Sequence, residues 1–462
     1  PSPSHPMKKT ILDALAALIL LPAALLAISY FARVQEQRRA DESLRLLYLA
    51  PATFSAGGDA LFLLAYHTPD AATRRQWLAQ YGSNALRGIA NDRDVPLPAA
   101  IRAAQLPDAP LDRLACPPRD SVSGCLAAVG QNLPAYRASV QQAAQLLANA
   151  DALAQYDNFD YVINDVTRDA FPPFAPLAQQ HTAAAVDWAE NRHPAALARV
   201  CRNIHTGRVL LRAHGGLIDT MIGNAIVVRN TALAAEMLAE QPAWATHLPD
   251  NCAAAFAPFA RGEPNLCAAI QGEFRYFDDM MRNWLASDAA DEDKASMDAK
   301  QLLQNPVARS LLFSPEHTRR LHAQNLAHYC TAENQAAVAQ DMQPENTPPA
   351  HNARNIALRP ACWGNWIGCV LLDNDTADYN VYSERLLDTA MQQRAFQAAL
   401  ALYALPPAQR RAALPQILAQ HRSSARKLSY HETTRQITFE RYDRRENAAA
   451  QGVAVNVDGW AA

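Results

Sequence analysis

Glycine is scarce in this chain, 16 among 462 residues, while alanine and leucine are abundant. Alanine and leucine are the strongest helix formers, and a glycine weakens a helix by about 1 kcal/mol, so the fold class expected is mainly α. A run of clustered lysine and arginine is missing too, and the net charge is -3. Phosphate backbones are bound by clustered cations, so nucleic acid is not expected as a partner. There is no G-x-S-x-G, no P-loop and no dinucleotide fingerprint. Each of these places a nucleophile or a phosphate on a particular turn, and their absence removes the commonest hydrolase, NTPase and dehydrogenase sites. No C-x-x-C occurs either, so the cysteines do not have zinc-ribbon spacing. No cofactor is expected.

What is present begins with an apolar run. Residues 1–6 precede Met7-Lys8-Lys9, and 1–10 is set aside as a tag-like start on the cytoplasmic side. From Ile11 to Ala32 the chain is almost unbroken in apolar character. As a helix it would be about 33 Å long, enough to cross a bilayer core of roughly 30 Å. Asp13 lies in its first turn, Pro22 can kink a membrane helix without forbidding it, and Tyr30 and Phe31 fall where an interfacial belt belongs. A cleavable signal peptide is the rival, but the run is long for one and no A-x-A site follows. Residues 11–32 are therefore expected to be a retained transmembrane signal anchor in a bacterial inner membrane. Flanking charge leaves orientation tied, Lys8 and Lys9 against Arg33, Arg38 and Arg39.

The cysteines break the tie. Eight occur, and six fall into neighbouring pairs, Cys116 with Cys125, Cys252 with Cys267, and Cys362 with Cys369. Cys201 and Cys330 remain to join distant segments. An even number flanking short polar loops beyond an anchor reads as a disulfide framework, which places the main domain in the oxidising periplasm. Reduced, buried thiols would instead suit a cytosolic domain with the opposite anchor orientation.

Organisation follows from proline and polar clusters. The expected units are an N-terminal helical domain over 33–245, a second helical domain over 246–405, and a helix with a small β tail over 406–462. Helical pattern runs through 175–240, with breaks at His193-Pro194 and Gly215-Gly216. Gly216, Gly223 and Ala225 would allow a second helix to approach closely. Further helices are expected at 134–156, 315–341, 381–404 and 407–421, with 342–380 irregular, while Gly57-Gly58 is expected to turn the chain. In the tail, Leu428, Tyr430, Ile437 and Phe439 alternate as in a hairpin, and Val453, Val455 and Val457 offer a third strand.

Several side-chain sets could carry chemistry. Arg212, Asp219, Asn224 and Arg229 interrupt an apolar helical block, and Asp219 follows Arg212 by seven residues, on one helical face. A buried ion pair or a ligand-gripping acid would each explain it. Glu273, Asp278 and Asp279 accompany Phe274, Tyr276, Phe277 and Trp284, the mixture of acids and rings that a glycan hydrolase uses. His317, His322 and His328 are expected at the surface rather than on a metal. Asp373, Asp375, Asp378 and Asn380 offer oxygen ligands without the glycine and glutamate of an EF-hand. Ser424 and Lys427 match S-x-x-K in isolation, and His431-Glu432 lacks the second histidine of a zincin. Trp363 and Trp366, between Cys362 and Cys369, are the expected contact residues for a partner, because tryptophan on a closed loop is pre-organised. The functional expectation is a tethered, non-enzymatic envelope protein that binds another protein, as scaffold, secretion accessory or toxin neutraliser. The alternative is an anchored cell-wall glycan or peptide hydrolase using Asp219, Glu273 or Asp278.

Overall fold

A computed structural model describes residues 38–49, 55–67, 70–86, 97–107, 116, 124–161, 171–260, 263–286, 305–307, 312–344, 359, 362, 364–374, 379–444 and 452–457. The expected anchor, 11–32, lies outside them. Among the described residues no helix is long and apolar enough to cross a membrane.

A helical stretch over 38–47 leads in. Then come α1 (Ala56–Phe62), α2 (Ala71–Leu86), α3 (Ala99–Ala104), α4 (Cys125–Gln131), α5 (Leu133–Gln142) and α6 (Ala144–Ala152). Three long helices form the centre, α7 (Ala175–Ala189), α8 (His193–Arg212) and α9 (Leu217–Glu240). They are followed by α10 (Cys252–Ala255), α11 (Cys267–Ala286), α12 (Pro315–Leu326), α13 (Ala332–Ala339), α14 (Trp366–Asn374), α15 (Tyr379–Tyr403) and α16 (Pro407–His421). The chain closes with β1 (Leu428–His431), β2 (Gln436–Phe439) and β3 (Val453–Ala454) in one antiparallel sheet of order β1-β2-β3. The expected fold class, mainly α with a small C-terminal antiparallel sheet, is what the described residues form.

The breaks in the central block fall where proline and glycine put them. Pro194 sits in the first turn of α8, where its missing N–H costs nothing, and Gly216 takes φ 90 before α9. The two helices then cross at their glycines. A Cβ on Gly223 would lie 2.7 Å from the Gly207 carbonyl and 2.9 Å from Leu210 Cβ. Gly223→Leu is therefore expected to cost about 1–3 kcal/mol or more in urea unfolding, because the obstacle includes backbone. Gly130, in α4 with nothing within 4 Å of its missing Cβ, is the control. Gly130→Ala is expected to be neutral or to stabilise by up to about 1 kcal/mol. Equal effects at both positions would contradict the crossing.

The main core joins α7, α8, α9, α15 and α16 to the sheet through residues such as Leu197, Leu233, Phe396, Ile437, Val453 and Val455. The tail's period-2 pattern is thus the pattern of burial, since Ile437 and Val453 are fully covered and pair across β2 and β3. A second core packs Phe62, Leu78 and Tyr161 against Leu210 and Tyr276, and a third packs Leu211 and Val227 against Ile270, Phe274 and Leu386.

Four disulfides staple these layers, Cys116–Cys125, Cys201–Cys252, Cys267–Cys330 and Cys362–Cys369. The expected Cys252–Cys267 bridge is corrected. Cys252 opens α10, which packs on α8, and there it meets Cys201, while Cys267 opens α11 and meets Cys330. Sequence proximity chose the wrong partner because each cysteine starts a different helix.

Other expectations shift as well. Gly57 and Gly58 lie inside α1 rather than in a turn, and their missing side chains let the 158–160 backbone pack onto that helix. The helix expected at 315–341 is split by a 3-10 turn at Ala327–Cys330, after which Thr331 caps α13 by accepting from Asn334 N–H. The stretch 342–380 contains α14.

Candidate functional site

The elbow between α8 and α9, residues 213–216, leads into a fully buried acid. Asp219, two positions after Leu217 in the first turn of α9, is 0% exposed. Tyr161 donates its hydroxyl to Asp219 Oδ1 at 2.6 Å, and Oδ2 is buried with no hydrogen-bond partner among the described residues. Gly215 is needed here because a Cβ would run into that Oδ2. Burial pushes the Asp219 carboxyl up to about 8; the Tyr161 hydrogen bond works against the shift and the nearby Glu273 charge adds to it. The same desolvation raises Tyr161 and Tyr276. At neutral pH, Asp219 is a protonated acid sealed inside the protein.

The elbow is held from α11. Gly216 has no side chain with which to cap α9, and Glu273 does so from across the interface, accepting from Leu217 N–H at 2.6 Å. Tyr276 donates to the Gly215 carbonyl at 2.7 Å and Arg275 to the His214 carbonyl at 2.9 Å. Close approach is possible because a Cβ on Gly272 would stand 2.5 Å from Gly216 N. His214 faces Asp160 at 3.7 Å, and its side chain, with the Asn158 amide, holds the Asp160 carboxyl below the ordinary range.

This geometry redistributes the expected site residues. Asp219 and Arg212 do not share a helical face, since α8 ends at Arg212 and the elbow separates it from α9. Asn224 accepts from the Thr389 hydroxyl at 2.6 Å, joining α9 to α15, and Arg229 is exposed. Glu273 is a helix cap, and Asp278 pairs with Arg282 at 3.0 Å and Arg319 at 3.2 Å. Phe274, Tyr276 and Phe277 are buried core rings and so form no open cleft wall. His322 is not a surface residue; it is 3% exposed against Phe274 and Phe277, and burial depresses its pKa to about 3. Asp373 takes a two-pronged contact from Arg359 and Asn380 accepts from Tyr329, whereas Asp375 and Asp378 lie outside the described residues. Among the described residues no group of three His, Cys, Asp or Glu side chains could hold a metal.

Trp363 lies outside the described residues, and Trp366, the first residue of α14, is 51% exposed. Beside it Asn365 is fully buried, and its Oδ1 accepts from Ser314 N–H at 2.8 Å and from the Thr318 hydroxyl at 3.0 Å. Asn365 and the Cys362–Cys369 bridge therefore fix the loop to the start of α12, and Trp366 projects from an anchored base.

The chain matches no family model, no curated protein and no solved structure. Its functional reading rests on its own residues.

Three further polar devices were not anticipated. Glu236 of α9 caps α4, another helix that starts after glycine, accepting from Cys125 and Leu126 N–H. Arg208 grips Glu263 through Nε at 2.6 Å and Nη2 at 2.7 Å. The largest is an ion network that locks the tail. Arg426 donates from Nη1 to Asp388 Oδ1 at 2.5 Å, from Nη2 to Asp341 Oδ1 at 2.5 Å and from Nε to Asp341 Oδ2 at 2.9 Å. Asp388 also accepts from the backbone N–H of Tyr442 and Asp443. A glycine preceding a helix is a usable sequence signal for the trans caps, because such a helix lacks its own capping side chain.

Proposed function

We propose that this chain is a membrane-tethered, periplasm-facing helical domain that binds a protein partner of the bacterial envelope and performs no catalysis of its own. The observation that carries the reading is the pairing of all eight cysteines in four bridges, with no free thiol. Such a framework belongs to an oxidising compartment, and bridges closing loops of 51 and 63 residues suit a domain that must persist there. The apolar run 11–32 supplies the tether. The anchored Trp366 supports binding, since a half-exposed tryptophan at a fixed helix start loses little freedom when a partner covers it. The acids of the hydrolase alternative are otherwise engaged: Asp219 is sealed, Glu273 caps a helix and Asp278 is paired.

Maleimide mass shift on the full-length protein in native membranes tests the compartment. The expected result is no labelling after denaturation alone and eight additions after reduction, whereas eight additions without reductant would place the domain in the cytosol. Photo-cross-linking from position 366 in cells tests the partner, with a discrete adduct expected that is absent when the cross-linker sits at buried position 396. Peptidoglycan turnover by residues 41–462, lost in Glu273→Gln or Asp278→Asn, would overturn the binding-only reading.

A further inference from the structure

A cleft of about 350 Å³ lies between the end of α13, one face of α15 and the chain at 258–260 and Pro264. That volume falls within the range of about 300–1,000 Å³ usual for small-molecule sites. Leu387, Ala390 and Arg394 of α15 line it at spacings of three and four residues, so they share a helical face and form its floor. Val338 and Ala339 stand on one side, Pro258 and Pro264 on the other. Leu387 and Val338 are buried core residues, and proline has no N–H, so floor and walls offer a ligand methyl groups rather than donors.

The two ends of the cleft differ in charge. At the Leu387 end stands Asp341, which takes a two-pronged contact from Arg426. Arg426 also donates to the Leu387 carbonyl, so the carboxylate at this end is already answered. Toward the other end, Arg394 donates to the Arg422 carbonyl at 3.3 Å and has no carboxylate partner among the described residues. Its charge reaches His421, whose imidazole is held below its ordinary value by burial and then by Arg394. Along the helix axis, Leu387 and Arg394 are separated by about 10 Å at 1.5 Å per residue, close to the length of an extended chain of about eight carbons. A single guanidinium fork matches a single carboxylate.

We infer that this cleft binds a medium-length alkyl carboxylate, its chain over Leu387 and Ala390 and its carboxylate on Arg394. The site is separate from the partner surface at Trp366 and needs no catalysis.

Titration calorimetry on the full chain in lipid nanodiscs tests it, with empty nanodiscs as the blank so that partition into lipid is subtracted. Sodium octanoate is the probe, sodium acetate lacks the chain, and octyltrimethylammonium chloride reverses the charge of the head. The expected result is saturable binding of octanoate, none of acetate, and binding of the ammonium roughly tenfold or more weaker. Arg394→Gln should weaken octanoate by a similar factor and melt like the wild type, because the contact it loses is to an exposed carbonyl. Ala390→Leu fills the floor and should weaken octanoate at least as much; if it melts early, Arg394→Gln decides alone. Absence of saturable octanoate binding would overturn the proposal, and so would equal affinity for octanoate and the ammonium. Unchanged octanoate affinity in the folded variants would put the chain elsewhere on the protein and overturn it as well.

Discussion

Replacing Arg426 with leucine is expected to lower the unfolding free energy by about 3–5 kcal/mol, the usual cost of removing one partner from a buried ion pair. Arg426 is 5% exposed, Asp341 5% and Asp388 0%, so both carboxylates would be left in a poorly hydrated interior. The loss reaches further than charge. The Arg426 guanidinium also donates to the Leu387 and Glu440 carbonyls and lies 3.9 Å from the centre of the Tyr442 ring. It ties α15, the end of α13 and the strand region into one unit. Arg426→Lys keeps the charge but cannot reproduce the forked contact to Asp341, so it should recover only a small part of the loss. Urea unfolding of the three proteins at pH 7 measures this, together with limited proteolysis after residue 421. A leucine variant as stable as the wild type, with an equally protected tail, would show that the network contributes nothing net. Replacing all members of a buried ion network together is often neutral, which is why one partner is removed here.

Local rules were enough for much of this architecture. The Pro406-Pro407 start and the apolar spacing place α16 at 407–421, and the alternation of Leu428, Tyr430, Ile437 and Phe439 marks the face the hairpin shares, on which the structure sets Leu428 opposite Phe439 and Tyr430 opposite Ile437. Breaks near 193 and 215 follow from proline and glycine. What could not be read were the pairings that tertiary packing decides. Tyr161 reaches Asp219 across 58 positions and Arg426 reaches Asp341 across 85, and no local period encodes either. The cysteine exchange has the same origin, since Cys252 and Cys267 are near in sequence yet start helices that face different neighbours. The burial of His322 is not legible because α12 is polar overall, and a single histidine on its covered side leaves no distinct mark in the composition. The acids suggested for a hydrolase are engaged elsewhere, Asp219 by burial, Glu273 by capping and Asp278 by ion pairing. Capping, burial and ion pairing are devices of stability that use the same residue types as catalysis.

The buried acid gives the second large effect, and its sign follows from where the proton goes. In the unfolded chain Asp219 has the ordinary carboxyl value near 3.8, and in the fold it is pushed up to about 8. Between these values the unfolded state has released the proton and the folded state still holds it, so folding takes up a proton. The stabilising contribution is therefore full below about pH 4, falls as pH rises through the window, and levels off above about pH 8. The slope for one such group is about 1.4 kcal/mol per pH unit. Asp219→Asn removes the titration while keeping an oxygen that can accept from the Tyr161 hydroxyl at the same place. The variant's stability, measured by urea unfolding from pH 4.5 to pH 8, should lose that slope, so that relative to the wild type it gains steadily with pH. Taking the difference between the two proteins cancels the groups they share, including Glu273, Asp160 and His214 around the elbow. Parallel curves would mean that Asp219 is ionised in the fold at neutral pH. A cation must then reach Oδ2, and the elbow would be open to solvent rather than sealed.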